Sequence, residues 1–157
     1  MPLPARRWQD SATETAQVVL PNDSNPLGYI LGGTVMHMID ITGAIACHRH
    51  TNSLALTAGV DSLDFLHPVK VGDIIILKSR VTCTFRTSLE VEVEVFSEGT
   101  TTGERKLTSH AFLTFVSLDS EGKPKEVPPL IIEGAEDEER CRKAHERRAE
   151  RLARKGR

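Results

Sequence analysis

From Gly33 to Cys47 the chain reads GTVMHMIDITGAIAC, with one charged side chain, Asp40, and no Lys, Arg or Glu. A stretch this long and this apolar, entered through the glycine- and proline-bearing turn PNDSNPLG, reads as a helix from about Leu31 to Arg49. A helix that is apolar all round is expected to be buried on every side. It must therefore form the centre of the molecule, with the rest of the chain as its wrapper. His48, Arg49 and His50 at its end suit the negative pole of a helix. Asp40 is the anomaly: a carboxylate in that setting is costly unless it is paired or used.

The wrapper is legible as strands. Thr13–Leu20 is a first strand, stopped by Pro21. Leu54–Phe65 follows the helix, with Gly59 marking a bend or bulge. Ile74–Phe85 is rich in β-branched residues, and Arg86-Thr87-Ser88 is a short connection. Leu89, Val91, Val93 and Val95 alternate with Glu90, Glu92 and Glu94, the pattern of a strand with one buried and one wet face. EGTTTGE is a hairpin loop, and Arg105–Leu118 is a long last strand. Short connections require antiparallel neighbours. The expected fold class is α+β: a long central helix wrapped by a curled antiparallel sheet of about five strands.

The chain's 157 residues suit one core. Residues 1–12 are expected to be a weakly ordered extension, 13–132 the folded domain, and 133–157 a charged peripheral helix and tail. That helix opens on Glu136, Asp137, Glu138 and Glu139 and has a thin apolar stripe of Cys141, Ala144, Ala149 and Leu152. Between Arg140 and Arg157 nine Lys/Arg face two Glu, although the whole chain has a net charge of −2. An acidic body with a basic tail argues against nucleic-acid binding and allows an anionic ligand near the tail. There is no apolar run long enough for a membrane span and no secretory pattern at the start. Cys47, Cys83 and Cys141 have no metal spacing and form no even framework, so free thiols in a cytoplasmic protein are expected.

Several residues offer chemistry. Asp40 is the candidate base or nucleophile, since a carboxylate short of water is a stronger base; the competing reading is a structural Asp bonded to backbone or to a partner. Asn25 can polarise a carbonyl with its amide, or simply hold a turn, with Asn22 a nearby competitor. Gly32 and Gly33 place open backbone N–H groups at a helix start, an oxyanion site, or merely allow tight packing. Arg86, Thr87 and Ser88 can meet phosphate or form an ordinary hairpin turn. Arg142, Lys143, Arg147 and Arg148 can reach an anion or form a solvated face. His37, His48, His50 and His67 read as packing, cap or turn residues, and no metal is expected. No G-x-S-x-G element is present, and Cys47 lies in a core-like run.

Asn25, Gly28, Gly32-Gly33 and Asp40 with Gly43-Ala44 resemble the signature of hot-dog-fold acyl-CoA thioesterases. The resemblance continues through TAGVDSLDFLHPVKVGD, Arg86-Thr87-Ser88 and GERKLTSHAFLTFVSLD. KEVPPLIIEGAEDEERCRKAHERRAERL resembles the cytosolic acyl-CoA hydrolase branch, including its brain form. It covers roughly residues 13 to 152. It implies hydrolysis of fatty acyl-CoA by Asp40 and Asn25, with CoA contacts from Arg86, Thr87 and Ser88 and no separate cofactor. It also implies dimers, with Asn25 of one copy facing Asp40 of the other, assembled as hexamers. A non-catalytic acyl-CoA sensor on the same fold is the alternative, and a dehydratase is a weaker one.

Overall fold

The computed structural model describes residues 3–156. Strand β1 (Thr13–Val18) leads through the turn to helix α1 (Gly32–Thr51). Four strands follow: β2 (Leu54–Phe65), β3 (Ile74–Thr84), β4 (Ser88–Glu98) and β5 (Arg105–Leu118). Helix α2 (Gly134–Lys155) ends the chain. The sheet order is β1-β3-β4-β5-β2, antiparallel throughout. The helix and five strands fall where the hydrophobic periods put them. The bulge expected at Gly59 appears as a register shift between Thr57 and Gly59.

The sheet curls over one side of α1. Leu89, Val91, Val93 and Val95 are wholly buried and meet Val35, Ile39, Ala46 and Cys47 in one core. Gly43 allows the close approach: a Cβ there would meet the Phe115 ring and Val93 at 3.4 to 3.5 Å. Asn52, in the left-handed region with φ 51, ends the helix by donating its N–H to the His48 carbonyl. His50 is buried, and its Nε2 bonds to the Pro128 carbonyl at 2.8 Å. Burial holds its imidazole below its ordinary pKa, so it is a neutral packing residue and not a cation serving the helix end.

Four expectations change. First, α1 is not buried on every side in the single chain. Gly32, Gly33, His37, Met36 (47% exposed) and Ile41 (46%) face outward. One sheet layer covers only one side of a helix. The open side continues onto the α1-facing side of edge strand β2, where Thr57 and Val60 are also exposed.

Second, the glutamate face of β4 is not wet. Glu90 and Glu92 are buried beneath α2, which lies across the outer face of the sheet. Arg147 grips Glu90 with two 2.8 Å bonds, Arg140 pairs with Glu92, Arg80 with Asp137, and Arg151 with Asp61. The helix thus docks through charge: of its residues, Asp137 and Ala144 are the ones fully buried. A thin apolar stripe had pointed to a loosely held helix, but the residues that seat it are Arg140, Arg147 and Arg151, seven and four positions apart on one face.

Third, Cys83 of β3 and Cys141 of α2 are disulfide-bonded, with Cα atoms 4.7 Å apart across 58 residues of chain, whereas Cys47 is free and buried. Pairing across such a separation leaves no local mark. Fourth, the stretch before β1, expected to be weakly ordered, makes defined contacts. Arg6 donates to the His50 carbonyl and to Asn52, and Arg80 stacks on Trp8 at 3.6 Å.

Candidate active site

The turn before α1 is built around Asn25. Its backbone N–H bonds to the Tyr29 carbonyl at 2.7 Å, and its own carbonyl accepts from Gly28, whose φ of 84° suits glycine. The Asn25 side-chain oxygen accepts from the N–H groups of Leu27 and Tyr29 at 3.0 and 3.1 Å. Both neighbours are obligatory donors, so the orientation of the amide follows: its oxygen faces the turn and its NH2 is left to donate elsewhere. The two readings of Asn25, turn holder and carbonyl polariser, therefore use different atoms.

Helix α1 starts at Gly32, and Leu31 at its N-cap makes no side-chain cap bond. The first-turn N–H groups have no intrahelical acceptor. A Cβ at Gly33 would meet nothing within 4 Å, and one at Gly32 would touch the Phe65 ring at 3.5 Å. Asn25, Tyr29, Gly32, Val35, Phe65 and His67 line a cavity of about 330 Å³ beside this turn.

Asp40 lies outside that lining. It is half-buried, and eight helical rises of about 1.5 Å place it roughly 12 Å along the axis from Gly32. Its Oδ1 accepts a 2.6 Å hydrogen bond from the Thr57 hydroxyl on β2. Sequence reasoning gave Thr57 no role. A threonine is ordinary in a strand, and nothing local says that β2 returns alongside this turn of α1. Within one chain, Asn25 with the glycines and Asp40 with Thr57 are thus two separate half-sites on the same open apolar face.

The turn Arg86-Thr87-Ser88 connects β3 to β4, and its carbonyls accept from Val127, Ser117 and Phe85. The Asn25 loop lies by the other end of β3, where Val19 and Asp73 are hydrogen-bonded. Eleven strand residues at about 3.3 Å each separate the two by roughly 35 Å. Arg86 borders a different cavity of about 550 Å³, with His145, Arg148 and Glu126. Arg142 is exposed and ion-paired with Glu139 and Glu146, and Lys143 lies 4.0 Å from Glu139. Arg147 is committed to Glu90, and Arg148 stacks over Phe85. Cys47 is buried in the core, and burial pushes its thiol up to about 12, away from the thiolate that a nucleophile needs.

The thioesterase superfamily model matches residues 27–104. The chain is 40% identical over 138 residues to an uncharacterised acyl-CoA thioester hydrolase of Bacillus subtilis, covering 87% of this chain and 80% of that one. The chain belongs to the thioesterase superfamily. Human cytosolic acyl coenzyme A thioester hydrolase is 39% identical over 140 residues, which is 84% of this chain. This superfamily member spans 37% of that human protein's length. A solved hexameric acyl-CoA thioesterase superposes with a TM-score of 0.92 at 41% identity, covering 97% of each chain. The acyl-CoA hydrolase of Staphylococcus aureus, solved with butyryl coenzyme A, coenzyme A and coenzyme A disulfide, gives 0.89 at 34% identity, covering 97% of this chain and 93% of that one. That staphylococcal protein has also been solved with an aspartate, a threonine or an asparagine replaced by alanine. The architecture of this superfamily member is accordingly the hot-dog fold.

Proposed function

We propose that the chain hydrolyses fatty acyl-CoA at a site completed by two copies. The observation that carries this reading is the Thr57–Asp40 hydrogen bond, set on an open apolar face away from the Asn25 cavity. Thr57 pins one carboxylate oxygen and leaves the other to take a proton from water. The water attacks the thioester carbonyl. The Asn25 NH2 and the Gly32–Gly33 amides of the second copy receive the oxyanion. Collapse breaks the C–S bond, and CoA leaves as thiolate and takes up a proton. No cofactor enters, since CoA is part of the substrate. The three staphylococcal alanine variants support the trio: their positions are fifteen and seventeen residues apart, the intervals from Asn25 to Asp40 and from Asp40 to Thr57.

A second copy of this chain covers Met36, Ile41 and Val60 and brings two edge strands β2 together, an isologous contact that creates two equivalent sites. Trimers of such dimers give the hexamer. Arg86, Thr87 and Ser88 serve the CoA moiety of a site formed by neighbouring copies, with Arg142 and Lys143 adding positive potential. The thioesterase unit runs over 13–132, and α2 (Gly134–Lys155) is the helix docked on it. The protein acts in the cytoplasm; among the described residues no helix is long and apolar enough to cross a membrane.

The decisive experiment is Asp40→Asn assayed for CoA thiol release at saturating acyl-CoA. Loss of about 100- to 10,000-fold in kcat is expected, the range of general-base catalysis. Near-normal turnover would overturn the assignment. Tight acyl-CoA binding without thiol release by the wild type would instead make the protein an acyl-CoA sensor.

A further inference from the structure

The disulfide partners have a third neighbour. Cys141 and His145 stand one turn apart on α2, and Cys83 rises from β3 beneath them. One ligand atom from each lies within 4.8 Å of the others. Cys83 is buried, Cys141 half-buried and His145 exposed, its ring held edge-on to Phe85 at 5.0 Å. Two sulfurs and an imidazole from two rigid elements form a donor set suited to zinc, with bonds of about 2.3 Å to sulfur and 2.0–2.1 Å to nitrogen.

We infer that Cys83, Cys141 and His145 form a zinc site in the reduced protein, and that this site and the disulfide are alternative fastenings of α2 to the sheet. Reduction by a dithiol adds two electrons and two protons, breaks the S–S bond and leaves two thiols, while the dithiol becomes its own disulfide. Zinc then displaces both thiol protons and forms two Zn–S bonds, and neutral His145 supplies the third ligand. Tetrahedral zinc holds such donor atoms about 3.5–3.8 Å apart, within reach of side-chain rotation from the present spacing. Two thiolates neutralise the ion, so a site half sunk between helix and strand carries no net charge. Three protein ligands leave the fourth tetrahedral position for water. In a reducing compartment the disulfide does not persist, and zinc keeps α2 seated.

The test uses the full chain, reduced with a phosphine that does not bind metal, then titrated with Co²⁺ followed by Zn²⁺. Expected are one equivalent of Co²⁺ with a sulfur-to-cobalt charge-transfer band, bleaching by Zn²⁺, and release of two protons. The oxidised protein and Cys141→Ser should show no band. His145→Ala should weaken the affinity at least tenfold while both thiols still react with a disulfide reagent. Both variants alter partly exposed positions on α2, and circular dichroism verifies their fold. Zinc should also raise the melting temperature of the reduced wild type but not of Cys141→Ser. No band in the reduced wild type, an undiminished band in Cys141→Ser, or unchanged affinity in His145→Ala would each overturn the site.

Discussion

At the scale of single residues, the informative contrast is between Asp40 and Asn25. Each makes a hydrogen bond that orients it and leaves its working atom open: Thr57 takes one carboxylate oxygen, and the Leu27 and Tyr29 amides take the Asn25 oxygen. Thr57 is the residue to test. A hydrogen bond to a charged group contributes about 1.5–3 kcal/mol. Thr57→Val is therefore expected to lower kcat roughly 10- to 100-fold with a smaller change in KM, and Thr57→Ser to restore most of the loss. Steady-state kinetics of the pair reads the hydroxyl separately from the packing. Arg86→Ala is expected to raise KM for acyl-CoA about tenfold with kcat little changed, since it would remove a contact that ground and transition states share.

At the scale of elements, α2 is a helix held by charge. Burial alone would raise the pKa of Glu92, but the hydrogen bond from His110 and the charge of Arg140 outweigh it and hold the carboxyl below its ordinary range. In return the bond to Glu92 raises His110 above its ordinary 6.5. The sign follows from linkage: a base whose pKa is higher folded than unfolded stabilises fully below the unfolded value, and the gain is lost as pH rises through the folded one. The melting-temperature difference between wild type and His110→Gln should therefore be largest below pH 6.5 and shrink toward zero as pH climbs past it. Thermal melts across that window check it; a difference that grows with pH would mean that His110 is not the charged partner of Glu92. The spacing of Leu89, Val91, Val93 and Val95 was readable as a buried face. The other face was misread because alternation reports which residues differ, not what lies over them.

At the scale of the whole molecule, the open side of α1 and the α1-facing side of edge strand β2, with Thr57 and Val60 exposed on it, carry both half-sites. Ile41→Glu or Val60→Glu places a charge at the proposed copy–copy contact and is expected to shift the assembly toward monomers in sedimentation velocity, with activity lost in parallel. Inactive Asn25→Ala and inactive Asp40→Asn proteins, mixed under subunit exchange, should regain about a quarter of wild-type activity if one competent site forms in each mixed dimer and half the dimers are mixed. No recovery despite demonstrated exchange would place both residues in one copy's site.

The residues by themselves determined the elements, the central place of the apolar helix and the candidates Asn25, Gly32, Gly33 and Asp40, because period, turn chemistry and an isolated charge are local properties of a chain. Tertiary structure alone decided that Asp40 is held by Thr57, that α2 sits on Glu90 and Glu92, and that Cys83 meets Cys141 and His145. Each of these joins residues on different elements, and strand order and helix placement, not sequence distance, set which side chains meet. The apolar helix that looked enclosed is covered on one side in the single chain, since a single curled sheet offers it one layer.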